Sequence, residues 1–208
     1  MNTCYIFGAA EGEPKFFDKK NGDLIIAADA GFKLVEKLNI KPDIVLGDFD
    51  SLGFIPNDSE IIKHPVKKDD TDTLLAVKVG LQRGFKRFVI YGGAGGRYDH
   101  TLANFQTLSF VASNGGQAFL CGDDFTATAL SLGKITFAKE SNGPISVFSA
   151  TTECEVSEKN LLYVLDNETL KYDFPLGVSN EFIGKEAEIT VHKGTAFILW
   201  QGPVNWVL

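Results

Sequence analysis

The chain has 208 residues, of which 44% are hydrophobic and 23% are charged, a composition typical of a folded globular protein. Its 27 acidic residues outnumber its 20 basic residues, and the resulting net charge of −7 argues against a nucleic-acid partner. No apolar run approaches the roughly 20 residues that span a bilayer, and the first residues lack the features of a secretory signal. We therefore expect a cytoplasmic protein with no membrane association.

The first 121 residues alternate short apolar runs with segments of helical period, which indicates an α/β domain. Predicted strands such as 24–28 and 88–91 show no polar alternation, so helices should cover both of their faces, as in a doubly wound, mostly parallel sheet. Between residues 71 and 83, Leu74, Val77 and Leu81 form the apolar stripe of a predicted amphipathic helix.

Beyond Cys121 the pattern changes to short β-prone segments separated by Gly, Asn or Ser, with no convincing helix. Among the predicted strands are 125–133, 134–139, 161–166, 186–194 and 195–202, with Gly133 and Gly194 interpreted as turns. This half predicts an all-β, sandwich-like domain. We place the boundary at 122–124, which gives an α/β domain over 1–122 and an all-β domain over 123–208. The three cysteines are widely spaced and form no CxxC pair, so we expect reduced thiols instead of a disulfide or a zinc site.

Two acidic residues, Asp48 and Asp50, follow the predicted strand 43–47. If the chain stays extended there, their side chains project to the same side. Ligands in doubly wound sheets bind beyond the carboxyl ends of the strands, and Mg²⁺ prefers one or two carboxylates together with substrate phosphates. The Gly-Asp-x-Asp-Ser pattern is equally typical of a turn and helix cap, so at this point both interpretations stay open.

Further acids favour the metal interpretation. Asp29 follows the strand 24–28 directly, and Asp69, Asp70 and Asp72 precede or begin the amphipathic helix. Helix capping and the helix dipole account for part of this second group, but they do not need three acids. We therefore assign Asp72, and after it Asp69, to a metal or phosphate site.

A glycine-rich turn follows the predicted strand that ends at residue 91. Four glycines stand among residues 92–96, and Arg97 follows them. The turn is neither a dinucleotide fingerprint nor a Walker loop. Glycines let backbone N–H groups approach an anion, and an arginine adds a bidentate contact, which favours a phosphate cradle. A tight turn with Asp99 as the helix N-cap would explain only one or two of the glycines.

Five segments, taken in order, resemble the motif series of the thiamine pyrophosphokinase family. They are AADAGF at 27–32, PDIVLGDFDS at 42–51, KKDDTDTLLA at 67–76, YGGAGGRYDHTLAN at 91–104 and GVSNEF at 177–182. The resemblance implies a Mg²⁺-dependent homodimer that transfers the pyrophosphoryl group of ATP to the hydroxyl of thiamine and releases AMP. It also implies that the α/β domain binds ATP and that the β domain contributes to the thiamine site across the dimer interface.

Carried over by position, the resemblance implies a role for eleven residues. Metal binding and catalysis fall to Asp48, Asp50 and Asp72, with Arg97 as a further catalytic residue. ATP contacts fall to Asp29, Gly92, Gly93, Arg97 and Asp99, and thiamine contacts to Ser179, Asn180 and Trp200. Without the resemblance, the apolar surroundings of Trp200 favour a place in the core.

Two positions depart from the family pattern. Ala30 stands where the family commonly has glycine, and Leu74 stands where many relatives have glutamate. These departures motivate one alternative, a non-catalytic sensor of nucleotide or thiamine. A second alternative is a Mg²⁺-dependent phosphohydrolase in which Asp48 is the nucleophile. In the leading hypothesis, Asp72 orients the thiamine hydroxyl or accepts its proton.

Overall fold

A computed structural model of the chain describes residues 2–10, 14, 17–47, 59–63 and 69–208. The chain forms two compact units. The first unit comprises Met1–Thr107 with Leu120–Asp123, and the second comprises Leu108–Phe119 with Asp124–Leu208. The chain therefore passes from the first unit to the second at residue 108, returns to the first for residues 120–123 and enters the second again at residue 124. The domain boundary expected at 122–124 stays a prediction.

The first unit is built on a parallel sheet with helices between its strands. Its elements are β1 (Thr3–Phe7), β2 (Leu24–Ala28), α1 (Gly31–Lys37), β3 (Ile44–Gly47), β4 (Glu60–Lys63), α2 (Asp72–Gln82), β5 (Arg87–Tyr91) and α3 (Tyr98–Ser113), whose last residues belong to the second unit. The strand order is β5-β1-β2-β3-β4, and all neighbours are parallel. Every residue of β2 and β3 is buried, as the lack of polar alternation predicted.

The strand order reverses direction next to β1. The chain runs from β1 through β2 and β3 to β4 on one side, and it then returns to β5 on the other side of β1. Such a reversal leaves a crevice beyond the carboxyl ends of the two strands that flank it, and open α/β sheets bind their ligands there. The crevice in this protein lies beyond the ends of β1 and β5.

The second unit is antiparallel. After β6 (Gln117–Cys121), which the two units share, come β7 (Thr126–Phe137), β8 (Pro144–Ser149), β9 (Glu153–Lys159), β10 (Leu165–Lys171), β11 (Asn180–Glu181), β12 (Ala187–Trp200) and a 3₁₀ helix at Val204–Trp206. The strand β12 pairs with β7 along almost its whole length. On its other edge it pairs first with β9 and then with β8. The predicted class, an α/β sheet domain followed by a β domain, is confirmed.

Two details of the sequence prediction were wrong. The segments predicted as separate strands on either side of Gly133 form the single strand β7, and those on either side of Gly194 form the single strand β12. The pairing of β7 with β12 shifts register at these glycines, so both glycines mark a β-bulge instead of a turn. The predicted strand 161–166 was also misplaced, because β10 begins only at Leu165.

The core of the second unit is aromatic. The Trp200 ring makes edge contacts with Phe137 and Phe119, with ring centroids 5.0 and 6.3 Å away. Phe182 packs on Phe137 from the segment around β11. The cysteines Cys4, Cys121 and Cys154 are free. Among the described residues, no helix is long and apolar enough to cross a membrane.

A methyl group at Gly31 should strongly destabilise the first unit. A Cβ at this position would overlap the Phe7 carbonyl oxygen, a main-chain atom that cannot move aside. We expect Gly31→Ala to lower the free energy of unfolding by about 3 kcal/mol or more. Glu36→Ala, on the exposed face of the same helix, should change it by less than about 0.5 kcal/mol. Urea denaturation compares the two, and equal small effects would contradict this close approach.

Candidate functional site

The crevice at the ends of β1 and β5 is lined by bare backbone. The Gly8 N–H donates to the Tyr91 carbonyl at 2.8 Å, and the Ala10 N–H donates to the Gly92 carbonyl at 2.8 Å. A Cβ on Gly8 would lie 2.6 Å from the Gly92 oxygen, and a Cβ on Gly92 would lie 2.5 Å from the Gly8 oxygen. Only glycine fits at either position. Further along the same turn, Gly95 and Gly96 are exposed, and a Cβ on either would meet nothing within 4 Å. Exposed glycine backbone of this kind lets an anion approach without obstruction.

Asn104 holds the glycine turn in place, although it was not among the residues predicted for the site. Its side-chain amide on α3 donates to the Gly93 carbonyl at 2.6 Å, and the residue is only 5% exposed. The signal was present in the sequence, because Asn104 lies four residues before the fully buried Leu108 and hence on the same helix face. An amide on an apolar helix face needs a polar partner.

Arg97 and Asp99, both predicted to contact ATP, form an ion pair with each other. The guanidinium donates to the two carboxylate oxygens through Nε at 3.2 Å and Nη2 at 2.6 Å. The hydrogen bond from Arg97 lowers the pKa of Asp99 below its ordinary value. Both side chains are exposed, by 71% and 65%, so water screens the pair and a phosphate can reach the guanidinium. Helix α3 begins at Tyr98, so Asp99 lies in its first turn and is not the N-cap.

The ends of β2 and β3 lie against each other. Asp29 has a left-handed backbone with φ 48°, and its N–H donates to the Leu46 carbonyl at 2.6 Å. A Cβ on Gly47 would lie 3.1 Å from the Asp29 Cα. The residue after Gly47 in the chain is Asp48. Both Asp48 and Asp50 lie outside the described residues.

The acids near α2 have different partners. Thr71 is the N-cap, and its hydroxyl accepts from the Leu74 N–H at 3.2 Å. Both oxygens of Asp70 accept from the Lys78 ammonium, at 2.8 and 2.7 Å, so the charge of this carboxylate is compensated. Asp72 is the first residue of the helix, and Asp69 is exposed.

Position in the fold places Asp72 on the same edge of the sheet as Asp29. Helix α2 packs against β1, β2 and β3. A helix that connects parallel strands runs back across the sheet, so it begins at the edge where the strands end. The described residues contain no group of three potential ligands able to hold a metal by themselves. Asp29 and Asp72 each bring a carboxylate to this edge, and the metal role predicted for Asp48, Asp50 and Asp72 stays a prediction.

The residues expected to contact thiamine lie in the second unit. Ser179 is exposed and has a left-handed backbone, with φ 61°, and its N–H donates to the Ser146 hydroxyl at 3.0 Å. Asn180 is 5% exposed and belongs to the short strand β11. The structure therefore brings Ser179 and Asn180 together on one fixed segment.

Trp200 occupies a core position. It is 1% exposed, and its indole N–H donates to the Pro203 carbonyl at 3.1 Å. Its ring is surrounded by other aromatic residues of the unit, as the apolar run around it favours. Stacking of thiamine on Trp200 stays a prediction, and it would require the ring to become accessible.

The fold and the crevice define a class of protein. It combines an α/β unit, with a glycine-rich crevice at the switch point of its parallel sheet, and an antiparallel β unit. Residues 18–120 match the model of the thiamin pyrophosphokinase catalytic domain, and residues 134–196 match the model of the thiamin pyrophosphokinase vitamin B1 binding domain. The chain belongs to the thiamin pyrophosphokinase family.

Individual relatives are distant in sequence but close in fold. Thiamin pyrophosphokinase 1 of Caenorhabditis elegans is 24% identical over 183 residues, covering 80% of this chain and 72% of that protein. The crystal structure of thiamine pyrophosphokinase from Bacillus subtilis is 22% identical, with a TM-score of 0.82 over 98% of this chain and 100% of its own. Thiamin pyrophosphokinase from Candida albicans is 15% identical, with a TM-score of 0.77 over 97% and 89% of the two chains.

Removing the Asn104 amide should loosen the glycine turn. Asn104→Ala leaves the buried Gly93 carbonyl without its donor, and we expect a loss of about 1–3 kcal/mol in the free energy of unfolding. Asn114→Ala is the control, because Asn114 makes an exposed bond of the same type at the other end of α3, to the Phe110 carbonyl at 2.8 Å. Thermal denaturation measures both variants. Equal losses would contradict a special role for Asn104.

Proposed function

We propose that this chain is a thiamine pyrophosphokinase that converts ATP and thiamine into AMP and thiamine diphosphate. The thiamine hydroxyl oxygen attacks the β-phosphorus of ATP, the bond between this phosphorus and the α,β-bridging oxygen breaks, and AMP leaves. The observation that carries the proposal is the glycine crevice at the switch point in a chain of this family. Asp29, after the end of β2, and Asp72, at the start of α2, bring carboxylates to the same edge of the sheet.

The crevice supports a role in holding the triphosphate. Gly92 and the buried Gly93 form the base of the turn, which Asn104 keeps in place, whereas Gly95 and Gly96 are exposed and a Cβ on either would meet nothing within 4 Å. When ATP binds, the Arg97 guanidinium replaces its bond to Asp99 with a bond to a phosphate oxygen. The replacement costs little desolvation, because both side chains of the ion pair are exposed. Catalysis of phosphoryl transfer consists mostly of such positioning and charge stabilisation.

Carboxylates are the ligands that Mg²⁺ prefers in proteins. We propose Asp48, Asp50 and Asp72 as the residues that hold it, with Asp29 directed to ATP. A bound Mg²⁺ supplies positive charge that neutralises the triphosphate. Asp70 is excluded from this set because Lys78 occupies both of its oxygens. Asp72 is also the candidate to orient the thiamine hydroxyl and accept its proton.

The second unit is proposed to form a homodimer and to bind thiamine on the segment of Ser179 and Asn180, where Ser179 is exposed and Asn180 holds the backbone in place. Eight of the twelve exposed large hydrophobic side chains among the described residues lie between residues 162 and 183. Apolar side chains concentrated in this way mark an interaction surface. The members of this surface, the 162–183 surface, are Leu162, Tyr163, Val164, Tyr172, Phe174, Leu176, Val178 and Ile183. It surrounds Ser179 in sequence, which supports a thiamine site completed by dimerisation.

We also propose a cytoplasmic location. All three cysteines are free, and reduced thiols are typical of the reducing cytoplasm.

The reaction is tested by the nucleotide that it releases. Incubation with ATP, Mg²⁺ and thiamine should give AMP in step with thiamine diphosphate. ADP as the sole nucleotide product would exclude pyrophosphoryl transfer, and tight binding without AMP release would favour a sensor. An aspartyl-phosphate trapped on Asp48 would favour the phosphohydrolase alternative.

Loss of a metal-binding carboxylate should stop turnover while the protein stays folded. We expect Asp48→Asn and Asp50→Asn each to lower kcat by about 100-fold or more, since charge stabilisation at a transferring phosphoryl group is a major part of catalysis. Asp18→Asn, which removes an exposed carboxylate of the same unit, should leave kcat unchanged. Near-normal activity in both Asp48→Asn and Asp50→Asn would remove the metal assignment.

Dimerisation is tested on the 162–183 surface. Tyr172→Ser with Phe174→Ser replaces two side chains that are 74% and 61% exposed and should convert the dimer into a monomer. Leu132→Ser, 64% exposed and outside this surface, is the control and should leave the dimer intact. Light scattering after size-exclusion chromatography measures the mass. A monomeric unmodified protein would contradict the proposal.

A further inference from the structure

A buried carboxylate lies behind the segment proposed to bind thiamine. Glu158 is 1% exposed in the strand β9, between Leu165 of β10 and Ile189 of β12. Among the described residues it is the only Asp, Glu, Lys or Arg buried to this degree. The strand alternation shows the same placement, because Glu158 shares a face with the buried Cys154 and Val156.

This carboxylate has one partner and no compensating cation. Its Oε2 accepts from the Asn180 side-chain amide at 2.6 Å, whereas its Oε1 is buried without a partner in the described part of the chain. Burial raises the pKa of Glu158 from 4.5 to about 7, and the bond from Asn180 opposes part of this rise. Leu165 and Ile189, the residues opposite on both neighbouring strands, are apolar, and no charged group acts on its pKa.

Asn180 has no freedom to turn. Its amide nitrogen donates to Glu158 and to the Tyr163 carbonyl at 2.7 Å, and its amide oxygen accepts from the N–H groups of Tyr163 and Glu181, both at 2.9 Å. Both donors and both lone pairs of the amide are therefore used. A flipped amide would place its nitrogen against two N–H donors and its oxygen against the carboxylate.

The same segment is fixed from the other side. The Val147 N–H donates to the Gly177 carbonyl at 2.8 Å, and a Cβ on Gly177 would overlap the Val147 carbonyl oxygen. The Ser179 N–H bonds to Ser146, and its left-handed backbone is strained for a residue other than glycine. Strain of this kind persists only where the surroundings fix it, and it concentrates at ligand sites.

We propose that Glu158 is a specificity-determining positioning residue, whose buried negative charge, directly behind the segment that Asn180 fixes, makes the site prefer a cationic acceptor over an uncharged one of the same shape. This inference rests on the proposed function. Thiamine is such an acceptor, because its thiazolium ring carries a permanent positive charge. A glutamine would make the same bond to Asn180 without the cost of burying a charge, so the carboxylate is not explained by stability. Where water is excluded, a fixed charge acts more strongly on a ligand.

The test compares two acceptors in Glu158→Gln. The first acceptor is thiamine, and the second is its analogue with an uncharged thiophene ring in place of thiazolium. We expect the KM for thiamine to rise about tenfold, because the variant lacks the negative charge that favours the cationic ring. The value of kcat and the KM for the analogue should stay within about twofold of those of the unmodified protein. Glu168→Gln, which removes an exposed carboxylate of β10, should change neither KM.

The melting temperature of Glu158→Gln shows whether the charge of Glu158 serves binding or stability. Because the folded-state pKa of Glu158 is raised, the contribution of this group to stability falls as pH rises from 4.5 to about 7 and stays at the lower level above that. Glu158→Gln should therefore melt at a higher temperature than the unmodified protein at pH 8, with a smaller difference at pH 5. A variant that is more stable yet less selective for thiamine is the expected result.

A second measurement follows the preference for thiamine over the analogue as a function of pH. In the unmodified protein, the preference for thiamine over the analogue should weaken as pH falls from 8.5 to 6, because Glu158 takes up a proton, and this trend should be absent in Glu158→Gln. An active Glu158→Gln with unchanged preference, or with equal losses for both acceptors, would overturn the role of Glu158 alone. Failure of the unmodified protein to release AMP with any acceptor would instead overturn the proposed function.

Discussion

Close backbone approach at the carboxyl ends of β1 and β5 is the constraint on which the candidate nucleotide site depends. Gly8 and Gly92 lie so near each other that neither tolerates a Cβ, and their loops continue the hydrogen bonding of the two strands. This contact keeps the crevice of the switch point narrow, and it keeps main chain at its surface. The bond from Asn104 to the Gly93 carbonyl then ties this turn to helix α3, whose first turn follows Arg97 in the chain.

Much of this arrangement could be predicted from the sequence, because parallel strands and their ends have strong local signals. Buried runs without alternation predicted the strands, and acids directly after such runs predicted which edge of the sheet would carry them. Longer-range contacts left no comparable signal. The bond from Asn104 to Gly93 joins a helix to a turn eleven residues away, and the pairing of Asp70 with Lys78 removed an acid that composition alone could not separate from Asp72.

In the β unit the errors came from glycine. Gly133 and Gly194 were interpreted as turns, although a glycine inside a strand also permits a bulge, and only the pairing of β7 with β12 distinguishes the two. Glu158 could not be predicted for a different reason. Alternation placed this residue on the buried face of β9, but a carboxylate there contradicts the usual burial preference, and local rules of this kind fail most often at functional sites.

The central claim is that acids from separate segments meet around one divalent ion beside the crevice. Crystals grown with Mn²⁺ and a non-hydrolysable ATP analogue test it directly, since the anomalous signal of Mn²⁺ locates the ion. The account predicts an Mn²⁺ peak beyond the end of β3, coordinated by Asp48 and Asp50 and by phosphate oxygens that reach the glycine turn. An ion elsewhere, or these two carboxylates too far apart to share it, would contradict the account.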